Sequence, residues 1–197
     1  MTNITICIIL ASDSIFRGNK MIIFAQILGI IAMIIASISL QSKTQKNIAL
    51  LQVCSTFLFT IHFALIGAYT GAILNFLGMI RAAIYSKRDK KWAAHPIWII
   101  VFIVLSIVVY MLSFVLFKIP PTLRNCFIES LVVIGMLFTT LGLRQKEAKM
   151  VRIYTLINSP LWLIYNVCNF SIGGILAECF TIISIIIAMF RLDIRRK

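Results

Sequence analysis

Six side chains able to ionise or hydrogen-bond, Gln26, His62, Asn75, Glu129, Tyr165 and Glu178, sit inside stretches otherwise built of Ile, Leu, Phe and Ala. They do not read as enzyme chemistry. No nucleophile stands near a base, no CxxC occurs, and the two histidines, His62 and His95, lie far apart in sequence, so no metal or cofactor is expected. Two carboxylates, an imidazole, two amides and a phenol are instead what a membrane protein uses to hold a polar solute or pass a proton. Trp162 and Asn166 flank Tyr165 on the same stretch, where a ring can stack and an amide can orient a ligand. Arg81 lies within another apolar run.

The rest of the chain must place those groups in a bilayer. Of its 197 residues, 61% are hydrophobic and 13% charged, and the mean hydropathy is +1.02. A soluble domain carries about 25% charged residues, so the surplus apolar surface is expected to face lipid. The net charge of +13 does not point to nucleic acid, because the basic residues cluster in short segments between apolar runs. There they act as topology signals and as partners for anionic lipid head groups. The cysteines, Cys7, Cys54, Cys126, Cys168 and Cys179, read as small buried hydrophobes.

A membrane span needs about 20 apolar residues. Seven segments qualify, near 21–40, 48–67, 70–86, 97–117, 123–143, 152–169 and 172–190. Residues 1–20 read as an extracytoplasmic arm, flexible or interfacial, with Met21 as an alternative start. The short uncharged joints at Ala68-Tyr69 and Phe170-Ser171 read as tight turns between antiparallel neighbours. Loops 41–47, 87–96 and 144–151 with Arg152, together with the tail, hold fourteen Lys and Arg; the opposite side holds four, Arg17, Lys20, Lys118 and Arg124. The positive-inside rule then puts the N-terminus outside and the C-terminus in the cytoplasm.

Displaced by 103 residues, the sequence meets itself without a gap. "SLQSKTQK" falls on "GLRQKEAK", "FLFTIHF" on "PLWLIYN", "GAILN" on "GILAE" and "FAQIL" on "FIESL". Gln26 thus meets Glu129, His62 meets Tyr165, Asn75 meets Glu178, and Met33 meets Met136. The expected fold is all-α, polytopic, with two parallel three-helix bundles (residues 21–91 and 119–197) joined by a linker span (residues 92–118), a 3+1+3 plan.

The six polar residues lie about four to six positions from the outer end of their spans, roughly 6–9 Å deep. A ring at one depth reads as a cavity wall. The plainer reading is interhelical glue, worth about 0.6 kcal/mol per bond. Both stay open for Gln26, His62, Asn75 and Tyr165. Glu129 and Glu178 favour a site, because glue does not need a carboxylate and an ionised one costs about 2.5–3.5 kcal/mol at a helix centre; proton coupling through them is the associated expectation. Arg81 either snorkels to the inner head groups or forms an inner gate. Gly71, Gly173 and Gly174 fit close helix approach or sharp turns. Trp162 and Tyr165 fit an interfacial belt or a stacking platform, and the two methionines fit packing.

The "SLQSKTQKN" loop, the "IHF…IGAY…GAILN" pair and "SPLWLIYN…GGILAE" resemble the YgjV-type bacterial inner membrane protein family from about Met21 to Arg191. More distantly, the plan resembles the SWEET and PQ-loop transporters and the nicotinamide riboside transporters. The SWEET resemblance implies pocket-lining asparagines in spans 3 and 7; Asn75 matches, and Glu178 takes the partner position. The nicotinamide riboside transporters carry Trp-x-x-Trp-x-x-x-Asn on span 6; Trp162 and Asn166 match, with Ser159 at the first Trp. The Pro-Gln signature is replaced by "LQS". Expected function is passage of a small polar solute by alternating access. The competing reading is a non-transporting scaffold or assembly partner, and self-association is left open.

Overall fold

The computed structural model describes the backbone of residues 3–194 and the side chains of residues 20–193. The side chains of the expected arm up to Asn19, Cys7 and Arg17 among them, and the end of the basic tail lie outside that range. Eight α-helices follow in order: α1 (Asn3–Leu40), α2 (Gln45–Leu65), α3 (Tyr69–Tyr85), α4 (Lys91–Ala94), α5 (Ile97–Val115), α6 (Leu123–Arg144), α7 (Ala148–Cys168) and α8 (Ile172–Ala188), which continues as a π-helical turn, Met189–Ile194. No strand occurs among the described residues.

Among the described residues, five segments are long and apolar enough to cross a membrane: Lys20–Leu40, Gln45–Leu65, Ile97–Val115, Leu123–Arg144 and Ile172–Asp193. The two other long helices are the more compromised by polar residues. α3 has 17 residues and carries Asn75 and Arg81; α7 carries Arg152, Asn158, Ser159 and Asn166.

Local chemistry sets the boundaries. Thr44, Thr122 and Ser171 stand at N-caps, where their hydroxyls accept the backbone N–H of Asn47, Asn125 and Gly174; each supplies a partner that the first turn lacks. Two joints share one C-terminal design. After α2, Ala68 N–H bonds the Phe63 carbonyl and Gly67 N–H bonds that of Ala64; after α7, Ser171 N–H bonds Asn166 and Phe170 N–H bonds Val167. These are Schellman caps, which need a left-handed residue. Gly67 (φ 79°) and Phe170 (φ 51°) supply it. The tight turns expected at these joints are present.

The helices close into a ring in the order α1, α2, α3, α6, α7, α8 and back to α1, with α5 outside against α3 and α6. Phe63, Leu74, Val132, Met136, Trp162 and Tyr165 form one buried cluster; Ile48, Tyr85, Phe102, Leu143 and Val151 form another. The outward faces are apolar, with Ile34, Phe57, Met111 and Ile187 all exposed, as lipid contact requires. The cysteines depart from expectation: Cys54 and Cys179 are exposed, Cys126 and Cys168 half-buried, and all four are free. In lipid an apolar thiol gains little from burial, because the acyl chains are as apolar as the protein interior. α1 and α8 approach closely at Gly29 and Gly173, where a Cβ on Gly173 would stand 3.0 Å from Gly29 Cα.

Nothing lies within 4 Å of a Cβ built on Gly67, so its substitution tests backbone strain alone. Gly67→Ala is expected to lower stability by about 1–2 kcal/mol, measured by unfolding of the detergent-solubilised protein; Phe170→Gly should not lower it.

Candidate functional site

The ring encloses a cavity of about 120 Å³ lined by side chains from all six of its helices. Two stripes supply eight of its 21 lining residues. Gln52, Ser55, Phe59 and Phe63 descend one face of α2; Thr155, Asn158, Trp162 and Asn166 descend one face of α7. Both stripes have the spacing i, i+3, i+7, i+11, which keeps every member on one side of a helix. α3 adds Asn75, Gly78 and Arg81, while α8 adds Ala177, Glu178 and Thr181. Pro160 lies within α7. It has no N–H to give the Leu156 carbonyl, which loosens the helix beside the cavity.

The sequence-predicted residues divide into two groups. Asn75, Trp162, Asn166, Glu178 and Arg81 line the cavity. Asn75 donates to the Gly71 carbonyl of its own helix at 2.9 Å. Trp162 is buried against Phe63 and Tyr165, with ring centres 6.1 and 5.7 Å away; the belt reading therefore gives way to a ring on the cavity wall. Glu178 is half-buried and turned toward Ser159. Asn166 is buried, and its Oδ1 has no partner among the described residues.

Gln26, His62, Glu129 and Tyr165 do not line the cavity; they lace helices together where α3 and α8 begin. Gly173 N–H donates to Gln26 Oε1 at 2.9 Å, and Gly71 N–H to Tyr165 Oη at 3.0 Å. His62 Nδ1 lies 2.8 Å from the Ala25 carbonyl and Nε2 2.8 Å from Ser171 Oγ. A carbonyl only accepts, so the proton sits on Nδ1 and Ser171 donates to Nε2. Glu129 is buried, faces Thr70, and leaves Oε2 without a partner among the described residues. One depth in the sequence thus covers two directions in space.

Arg81 does not snorkel. It is 3% exposed, and its Nη1 reaches across to α6, to the Met136 carbonyl at 3.3 Å and Thr140 Oγ1 at 3.2 Å.

The end of the ring that carries the basic loops is also tied. Gln45 donates to the Tyr85 and Leu143 carbonyls at 3.1 and 2.8 Å. Arg152 donates to the Leu40 and Ser42 carbonyls and holds Asp193 through both carboxylate oxygens, at 2.6 and 3.0 Å. Gln41 donates to Ser184, whose hydroxyl donates to the Ser37 carbonyl. Arg152, counted in sequence among the loop charges, is a buried tie.

Gln52, Ser55, Thr56, Thr139, Thr155, Asn158 and Thr181 also line the cavity and were not picked out from sequence. Their signal is the stripe: small polar and aromatic residues at helical spacing on α2 and again on α7. Among the described residues no group of three His, Cys, Asp or Glu is placed to hold a metal.

A family model described as a bacterial inner membrane protein, Imp-YgjV, matches residues 23–196. No curated protein and no solved structure matches the chain.

The Arg152–Asp193 pair is buried on both sides, at 2% and 6% exposure. Breaking it leaves one charge uncompensated. Asp193→Asn or Arg152→Gln is expected to cost about 3–5 kcal/mol, while the apolar double replacement Arg152→Met with Asp193→Leu falls much nearer neutral. Thermal unfolding of the three variants in detergent checks this.

Proposed function

We propose, for a chain that belongs to the Imp-YgjV family of bacterial inner membrane proteins, that it passes a small polar solute by alternating access between two parallel three-helix bundles. α1–α3 form one bundle, α6–α8 the other, and α5 is the linker, giving seven spans with the N-terminus outside and the basic loops among cytoplasmic anionic head groups.

One observation carries the reading. Sixteen of the 21 cavity-lining residues fall into eight pairs 103 positions apart, such as Gln52 with Thr155, Phe59 with Trp162, and Asn75 with Glu178. A wall built twice by one register is what tandem halves meeting at a binding site would produce.

The ties obey the same register. Gln26 bonds Gly173, and the matching Glu129 faces the matching Thr70. His62 and Tyr165 each cross to the start of the other bundle's third helix. Ser184 to Ser37 pairs with Arg81 to Thr140, while Gln45 and Arg152, which are one helical turn out of register with each other, reach the matched Leu143 and Leu40 carbonyls. Ties at both ends suit an occluded conformation, each end being a gate that releases in turn. Glu178, on the wall, and Glu129, at the outer end, are the groups that would carry a coupled proton.

The second reading is a scaffold, and the satisfied bonds of Gln26, His62 and Tyr165 favour it for those residues. It leaves unexplained why Asn158 and Asn166, on the cavity wall, keep buried side-chain oxygens without partners among the described residues; glue would use them.

Labelling separates the two. In a background with the native cysteines replaced, Asn75→Cys is exposed to a polar, impermeant thiol reagent in right-side-out and in inverted vesicles. Alternating access predicts modification from both faces, and Gln26→Cys, within the outer tie, predicts modification from the outer face. Protection of Asn75→Cys from both sides would sink the transport reading.

A further inference from the structure

One residue breaks the balance of the paired wall. Arg81 has Ser184 at the matching position, so the cavity holds a cation on one bundle alone. Its Nη1 meets only neutral acceptors, and its Nε has no partner among the described residues. The one ion pair among the described residues is Arg152 with Asp193 at the basic end. Glu178, the cavity's own carboxylate, is not within ion-pair reach of Arg81 and turns toward Ser159.

A guanidinium held out of water with neutral partners lacks a counterion. Its planar fork suits a carboxylate, which can accept two parallel N–H bonds. Six residues separate Arg81 from Asn75, roughly 9 Å along the helix. Asn158 lies near the level of Arg81, its Oδ1 beside Gly135 and so next to the Met136 that Arg81 holds, while Asn166 lies eight residues farther out, roughly 12 Å along α7; both keep buried side-chain oxygens without partners among the described residues, which call for donors. Phe59, Phe63 and Trp162 give the space between an apolar lining.

We propose that the cavity takes a small hydroxylated organic acid in its anionic form, the carboxylate on Arg81 and a hydroxyl on the Asn158 amide oxygen. As a transported solute the acid rests on the reading above; as a bound ligand it is tested without it.

Purified full-length protein in chloride-free buffer is titrated with glycolate, lactate and glycerate, each against its own primary amide, and with chloride as a bare anion. Thermal unfolding reads binding. At least one acid is expected to bind about tenfold or more tighter than its amide, a difference of ~1.4 kcal/mol, and Arg81→Gln should make acid and amide equal. That acid should also protect Arg81 in the unmutated protein from phenylglyoxal, read by peptide mass spectrometry, a test that does not depend on the variant folding. The proposal is overturned if no acid outdoes its amide, if chloride gives the same shift, if the preference survives Arg81→Gln, or if Arg81 is not protected. Failure here with Asn75→Cys still labelled from both faces removes the acid and leaves the pathway. Acid binding without such labelling leaves a ligand site in a protein that does not transport.

Discussion

Inside hydrocarbon there is no water to complete a hydrogen bond, so any polar group must find its partner within the protein. The starts of α3 and α8 are where that constraint presses hardest. Each begins inside the bundle with backbone N–H groups that its own helix cannot satisfy. Tyr165 answers Gly71, Gln26 answers Gly173, and Ser171, itself held by His62, answers Gly174. The helices that supply these partners, α7, α1 and α2, are thereby fixed against α3 and α8. A hydrogen-bond obligation at two helix starts therefore orders much of the ring.

The same constraint separates the polar residues that are spent from those held in reserve. His62 and Tyr165 have their side-chain groups satisfied and lie away from the cavity. Asn158, Asn166 and Arg81 line it with part of their bonding capacity unspent. A polar atom buried without a partner costs about 1–3 kcal/mol.

The helix limits were legible in sequence because run length and basic loops report them directly. The expected segment 123–143 is α6, Leu123–Arg144, and 97–117 is α5, Ile97–Val115. The depth of the polar residues was equally legible, since rise per residue is fixed. Their direction was not. Glu129 and Asn75 stand at similar depths, yet one faces Thr70 on a neighbouring helix and the other the cavity, because the bearing of a helix depends on which partners it meets. That α1 lies against α8 is a pairing across nearly the whole chain, with nothing local to announce it. Arg81 illustrates the limit: five residues from a basic loop it reads as a snorkelling side chain, and only the presence of α6 beside it supplies the Met136 carbonyl that turns it inward.

The α1–α8 and α3–α6 contacts of the ring are built differently. Along α1 and α8 the backbones meet at Gly29 and Gly173, and Gln26 and Gln41 add bonds across the same contact. Along α3 and α6, Arg81 and Glu129 span the gap, and α5 covers it from outside. A close glycine contact tolerates rotation but resists separation; bonds made by long side chains can be exchanged for bonds to something else. In a cycle of the kind proposed, the α1–α8 contact is thus fitted to be the spine of a book whose pages part at the α3–α6 edge.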